Sequence, residues 1–202
     1  MSASAVAVVD VGLVGNIASI RRALQAAGAV VEVIDRPDQL AQVSKLVLPG
    51  VGSFAEAMAE IHGRGWHEPL RQAIASRPTL GICLGMQLLA RIGFEYGECD
   101  GLGLLDGEVR RMECKAPVPH IGFKPVVPIG DPCLFKGLPA EAEFYFMHSY
   151  EVVNYTDVAA LSEHGSHRFV SALQRGHLFG VQFHPEKSRD AGIAMLRNFV
   201  EL

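Results

Sequence analysis

Cys83 stands in the run Pro78-Thr79-Leu80-Gly81-Ile82-Cys83-Leu84-Gly85-Met86-Gln87, where an apolar strand-like stretch gives way to a helical one at a cysteine flanked by Gly81 and Gly85. A residue at so sharp a strand-to-helix turn has its side chain pushed out of the sheet, and glycines on both sides remove Cβ atoms that would crowd it. Such a turn presents a nucleophile, with the next backbone N–H groups directed at whatever the sulfur attacks. Far downstream, Val181-Gln182-Phe183-His184-Pro185-Glu186-Lys187-Ser188 supplies a His and a Glu two apart in a strand-like run. Alternate side chains of a strand share a face, so His184 and Glu186 are expected to meet by strand alternation. A nucleophilic Cys83, a basic His184 and an orienting Glu186 make a complete hydrolytic set.

A free thiol is mostly protonated at neutral pH, so this chemistry needs an activated sulfur. The helix expected to open at Leu84 directs its positive end at Cys83, and a protonated His184 would hold the thiolate by charge pairing. Glu186 would fix the imidazole in one tautomer. Attack on a carbonyl creates an oxyanion, which backbone N–H groups stabilise with little reorganisation. Leu84 offers one donor. Pro49-Gly50-Val51-Gly52, a glycine loop that lets backbone approach a ligand closely, offers the second at Val51 or Gly52. Each element alone has a plainer reading: a small core cysteine, a solvated strand end, an ordinary turn. Their common place after strand-like runs makes one site the better account.

The elements that must position these residues alternate regularly at first. Strands are expected at 5–9, 30–34, 45–48 and 80–83, with helices at 17–27, from Ser53, and around 70–75. Asn16 and Gly28 read as N-cap and stop of the first helix, and Ser53-x-x-Glu56 as a capping box. Alternation of this kind implies a mostly parallel sheet with helices on both faces, an α/β fold. After Gly97 the pattern turns to short strands at 108–112, 124–127 and 144–147 between Pro and Gly turns. A hairpin at Gln174-Arg175-Gly176 then precedes a last helix capped by Ser188, so the C-terminal half reads as more antiparallel. In open α/β sheets ligands collect at the carboxyl ends of strands, and Gly50 to Gly52, Cys83 and His184 all follow strands.

Whole-chain properties narrow the function. A length of 202 residues suits one domain, expected to span 1–202. A net charge of −4 gives no basic face for nucleic acid, so a small or neutral substrate is expected. No apolar run reaches the ~18 residues of a membrane span, and Met1-Ser2-Ala3-Ser4 has no basic segment of a signal peptide, so the cytoplasm is the expected location. Cys83, Cys99, Cys114 and Cys133 form no C-x-x-C pair, and His62/His67 and His164/His167 lack convergent partners at metal spacing. Neither disulfides, metal nor another cofactor is expected.

Gly81-Ile82-Cys83-Leu84-Gly85-Met86-Gln87-Leu88-Leu89 together with Phe183-His184-Pro185-Glu186-Lys187-Ser188 resembles the class I, triad-type glutamine amidotransferases, whose fold is flavodoxin-like. Pro49-Gly50-Val51-Gly52-Ser53-Phe54, Pro119-His120-Ile121-Gly122 and Phe146-Met147-His148-Ser149-Tyr150 are similar to the glutaminase subunits of imidazole glycerol phosphate synthases. The resemblance covers nearly the whole chain. It implies hydrolysis of glutamine to glutamate and ammonia through a γ-glutamyl thioester on Cys83, with Gln87, Glu95 and backbone of Ser149 and Tyr150 holding the amino-acid end. It further implies a HisF-type (β/α)₈-barrel cyclase partner that uses the ammonia in histidine biosynthesis, with Asn16, His120, Phe123, Lys124 and Lys187 on the partner side.

Three departures fall near that side: Phe123-Lys124 where Trp-Asn is usual, a loop from Asp10 to Asn16 one residue longer than usual, and Arg189 in place of a small residue. They keep open a paralogue that feeds ammonia to a cyclase-like partner amidating surface-polysaccharide sugars. A non-catalytic regulatory protein would be expected to lose Cys83, His184 or Glu186, and a γ-glutamyl peptidase would need a more open site.

Overall fold

The computed structural model describes residues 5–12 and 16–202. The first four residues and positions 13–15, which include most of the lengthened part of the Asp10 to Asn16 loop, lie outside the described residues. Strand β1 (Ala5–Val9) is buried at all but its first position, as a strand covered on both faces must be. Helix α1 (Ile17–Ala26) buries Ile20, Ala23 and Leu24 at helical spacing and stops before Gly28, which takes φ +99°. There follow β2 (Val30–Ile34), β3 (Leu46–Leu48), α2 (Phe54–Gly63), α3 (His67–Ser76), β4 (Thr79–Ile82) and the short α4 (Leu84–Leu88). At the start of α2 the Ser53 hydroxyl accepts the Glu56 N–H at 3.3 Å, one half of the expected capping box. Another of the first-turn donors, the Phe54 N–H, is taken by Glu95 Oε2 at 2.7 Å.

The second half supplies β5 (Ala90–Gly93), β6 (Cys99–Asp100), β7 (Leu105–Arg111), β8 (His120–Pro125), β9 (Val127–Pro128), β10 (Glu143–His148) and β11 (Tyr150–Val153). β12 (Val158–His164), β13 (His167–Arg175), β14 (Leu178–Val181) and α5 (Arg189–Val200) complete it. The central sheet runs β2-β1-β3-β4-β14-β13-β12-β9. Pairing is parallel from β2 through β14 and antiparallel beyond it, as the change in sequence pattern implies. The strand expected at 124–127 is instead divided between two sheets. β8 pairs with β10 in a two-stranded ribbon and β9 with β12, the chain passing from one sheet to the other at Val126.

Alternate residues of the sheet feed opposite cores. Val6 and Val8 join Leu24, Phe144, Phe183 and Phe199 on one side, whereas Ala7 and Val9 join Phe54, Ile61 and Trp66 on the other. Each of these large side chains is essentially inaccessible, contributing about 1.5–3 kcal/mol from burial. Two such layers make the sheet a rigid base for whatever its carboxyl edge carries. The register Val181 opposite Ile82 brings the next residues, Gln182 and Cys83, out side by side. No helix among the described residues is long and apolar enough to cross a membrane.

Candidate active site

β3, β4 and β14 are neighbours in the sheet, so the segments that follow them converge on one edge. Cys83 sits there with φ +53° and ψ −112°, a left-handed conformation that costs an ordinary residue about 1–3 kcal/mol. The corner is fixed by its own backbone: the Cys83 N–H donates to Val181 O at 2.8 Å and its carbonyl accepts from Met86 N at 3.0 Å. Close approach of the turn to β3 explains the glycine after it, since a Cβ on Gly85 would lie 1.8 Å from Leu48 O. A Cβ on Gly81 would lie 2.8 Å from Gly85 backbone. The following helix is only five residues long, so the first-turn N–H groups, rather than a long macrodipole, supply its positive end.

His184 and Glu186 meet by a different route from the expected strand alternation. β14 ends at Val181, and Pro185 opens a 3-10 turn, Pro185–Lys187, that folds Glu186 back under the imidazole. His184 Nδ1 lies 2.9 Å from Glu186 Oε1, with both side chains buried. The carboxylate therefore accepts a hydrogen bond from Nδ1–H, leaving Nε2 buried and without a hydrogen-bond partner. Burial is the strongest single influence on this imidazole and pulls its pKa down. The nearby Cys83 sulfur and the Glu186 carboxylate outweigh it and raise the value to about 9. The ring is thus poised to be the cation of a thiolate–imidazolium pair.

Two further side chains hold the turn. Ser188 stands at the N-cap of α5, but its hydroxyl makes no cap bond. It donates to His184 O at 2.6 Å and accepts from Tyr145 N at 2.9 Å. Asn16, at the N-cap of α1, likewise makes no cap bond, and its Nδ2 donates to Glu186 Oε1 at 3.2 Å. A residue expected as a cap and on a partner side therefore touches the carboxylate of the triad.

Cys83 and His184 open onto a cavity of about 390 Å³ whose wall includes Val51, Gly52 and Leu84, the expected oxyanion donors. Gln87, Glu95, Ser149 and Tyr150 line the same cavity. Gln87 is anchored by donation from Nε2 to Tyr150 O at 3.0 Å. Sequence reasoning missed Arg111, Tyr96 and His148 as lining residues. Nothing in the local pattern of Arg111 marks it, since it becomes part of the site only because β7 pairs with β11 and sets Arg111 opposite Tyr150. Cys99, Cys114 and Cys133 stand outside this cavity, all unbridged. Among the described residues no cluster of His, Cys, Asp or Glu could hold a metal ion.

The residues expected on a partner side divide by strand alternation. Phe123 packs edge-on to Tyr145 on the outer face of the β8–β10 ribbon, beside exposed Ile121 and Met147. Lys187 lies 5.7 Å over the Tyr145 ring and Arg189 4.4 Å over Phe123, so two of the departing positions are in contact. Lys124 lies over a separate surface depression shared with Leu161 and Arg168. His120 faces inward, 1% exposed. Its Nδ1 lies 3.2 Å from His148 Nε2, and His148 Nδ1 lies 2.8 Å from Tyr150 O. The carbonyl can only accept, so His148 carries its proton on Nδ1, His120 donates, and both rings are neutral. Burial is the main cause and lowers His120 to about 3 and His148 to about 4.

The family model "Glutamine amidotransferase class-I" matches residues 7–202. The imidazole glycerol phosphate synthase subunit HisH of Moorella thermoacetica is 44% identical over 201 residues, covering 98% of this chain and 94% of the relative. That of Symbiobacterium thermophilum is 46% identical over 197 residues, covering 96% and 92%. A solved structure of a putative GMP synthase subunit from Thermoplasma acidophilum superposes with a TM-score of 0.75 at 22% identity, covering 100% of this chain and 94% of that one, and speaks for the fold alone.

Proposed function

Because the chain belongs to the class I glutamine amidotransferases, we propose that it is the glutaminase subunit of an imidazole glycerol phosphate synthase, acting as a single domain in histidine biosynthesis. The observation that carries this reading is the convergence of Cys83 and His184, the latter backed by Glu186, on one cavity that also holds Glu95 and Arg111. A carboxylate and a guanidinium in one pocket complement the ammonium and carboxylate of a free amino acid. Gln87, with the backbone of Ser149 and Tyr150, completes the grip.

In this mechanism the Cys83 thiolate attacks the side-chain amide carbon of glutamine. The oxyanion is held by the N–H of Leu84 and by the Val51–Gly52 backbone. The imidazolium of His184 gives its Nε2 proton to the departing nitrogen, releasing ammonia and leaving a γ-glutamyl thioester. A water then loses its proton to Nε2 as it attacks the thioester, and glutamate leaves as the sulfur returns to thiolate. Glu186 holds the ring in the required tautomer throughout.

Ammonia set free in neutral water becomes unreactive ammonium, so the product is useful only if it passes directly to an acceptor enzyme. The proposed acceptor is a HisF-type (β/α)₈-barrel cyclase, docked on the face formed by Phe123, Tyr145 and Lys187 with Asn16 and Lys124 nearby, in the cytoplasm. The test is glutamate release from glutamine by the purified chain, alone and then with a histidine-pathway cyclase and its ribulosyl ligand. Strong stimulation that disappears in Cys83→Ala supports the assignment. Hydrolysis without stimulation would retain the glutaminase chemistry and redirect the partner to a cyclase-like paralogue that amidates sugars.

A further inference from the structure

Gln182 directly follows β14 and is 0% exposed. A fully buried amide is costly unless both of its ends are hydrogen bonded, and the partners of Gln182 fix which way it points. Tyr150 O can only accept, so the Gln87 atom 3.0 Å from it must be the NH₂ group. That same nitrogen lies 2.9 Å from the Gln182 side chain, which must therefore turn its oxygen, Oε1, toward Gln87. The NH₂ group of Gln182 is left facing Cys83 Sγ, at 3.6 Å. The orientation thus follows from a chain of obligatory donors and acceptors beginning at a backbone carbonyl.

An N–H donor at sulfur favours the thiolate, which accepts, over the thiol, which must place its own proton elsewhere. Met147 O, a carbonyl to which the thiol could donate, is more distant, at 4.0 Å. With α4 only five residues long, the helix contributes little beyond its first N–H groups. We propose that Gln182 is a second stabiliser of the Cys83 thiolate beside His184, and that its bonds to Gln87, itself anchored on Tyr150 O, hold it in place behind the cavity wall. Gln182 belongs to neither the catalytic set nor the substrate-holding set of the proposed glutaminase, and its role does not depend on which amide the sulfur attacks.

The test is the pH dependence of Cys83 alkylation by iodoacetamide in the free chain, located by peptide mass spectrometry. Gln182→Met keeps the length and removes the donor. It is expected to move the midpoint of the alkylation profile up by about one pH unit, with the rate at high pH unchanged. Gln87→Met frees the Gln182 oxygen but leaves its nitrogen able to reach the sulfur, and is expected to move the midpoint less. A purely packing role would lower the thermal midpoint without moving the pH profile, and an unmoved profile in folded Gln182→Met would overturn the proposal. Independently of any change at position 182, the side-chain amide resonance of Gln182 in the ¹⁵N–¹H spectrum is expected to titrate together with Cys83 and to lose that step in Cys83→Ala. A resonance that stays flat through the alkylation midpoint would overturn it equally.

Discussion

The corner that carries Cys83 and the turn that carries His184 and Glu186 reach the same cavity by opposite means. The corner is held by backbone: a left-handed Cys83 between glycines whose missing side chains are filled by neighbouring main chain, with Leu48 O as the closest approach. The turn adds to its backbone bonds a set of side-chain ones: Ser188 on the His184 carbonyl, Glu186 on Nδ1, and Asn16 on Glu186. Backbone packing of this kind tolerates no added atom, whereas a hydrogen-bonded set loses its members one at a time. The two regions should therefore fail differently, the first abruptly and the second by degrees.

The sharpest way to break that contrast is Gly85→Ala. One methyl group 1.8 Å from Leu48 O cannot be accommodated by rotating a side chain. We expect a loss of several kcal/mol in urea unfolding and no measurable turnover, beyond the usual ~1–3 kcal/mol of an overpacked site. On the turn, His184→Ala is expected to give up part of its stability but still fold, and to lose about a thousandfold or more in kcat, since the base acts with the nucleophile as a unit. Glu186→Ala is expected to lose about a hundredfold, because an orienting group contributes less than the base it orients. Asn16→Ala, one hydrogen bond further out, is expected to cost about threefold in kcat with KM unchanged. Equal losses across these three would mean that the turn behaves as a single rigid unit like the corner.

A subtler separation comes from pH. The folded His184 is raised to about 9 from an ordinary value of 6.5, so its charged interactions add stability that is fully present below about pH 6.5 and fades as pH rises through about 9. The gap in urea midpoint between the wild-type chain and His184→Gln is therefore expected to narrow from pH 6.5 to pH 10. A gap that widens over that range would contradict the stated balance of burial against Cys83 and Glu186.

Much of this was legible in the sequence, and the limits follow the same division. The β4–Cys83–α4 corner could be read because backbone geometry writes itself as local pattern: an apolar run, two glycines and a change of period. The parallel half and the hairpin before β14 were legible for the same reason. The meeting of His184 with Glu186 was read correctly from the wrong geometry, since Pro185 replaces strand alternation with a 3-10 turn. What escaped were contacts that exist only after long-range pairing. Arg111 enters the cavity through the β7–β11 register, Gln182 meets Cys83 through the β14–β4 register, and Asn16 reaches Glu186 from the opposite end of the chain. The inward face of His120 depends on the β8–β10 pairing, which sets it opposite His148.

The account rests on Cys83 as the atom that receives the γ-glutamyl group. The most direct measurement is to treat the chain, alone and with the proposed cyclase added, with the glutamine analogue 6-diazo-5-oxonorleucine and locate the adduct by peptide mass spectrometry. One equivalent on Cys83, none on Cys99, Cys114 or Cys133, and loss of glutaminase activity in step with labelling is the predicted result. Continued glutamine hydrolysis after Cys83 is fully labelled, or an adduct on another cysteine that tracks the loss of activity, would contradict it.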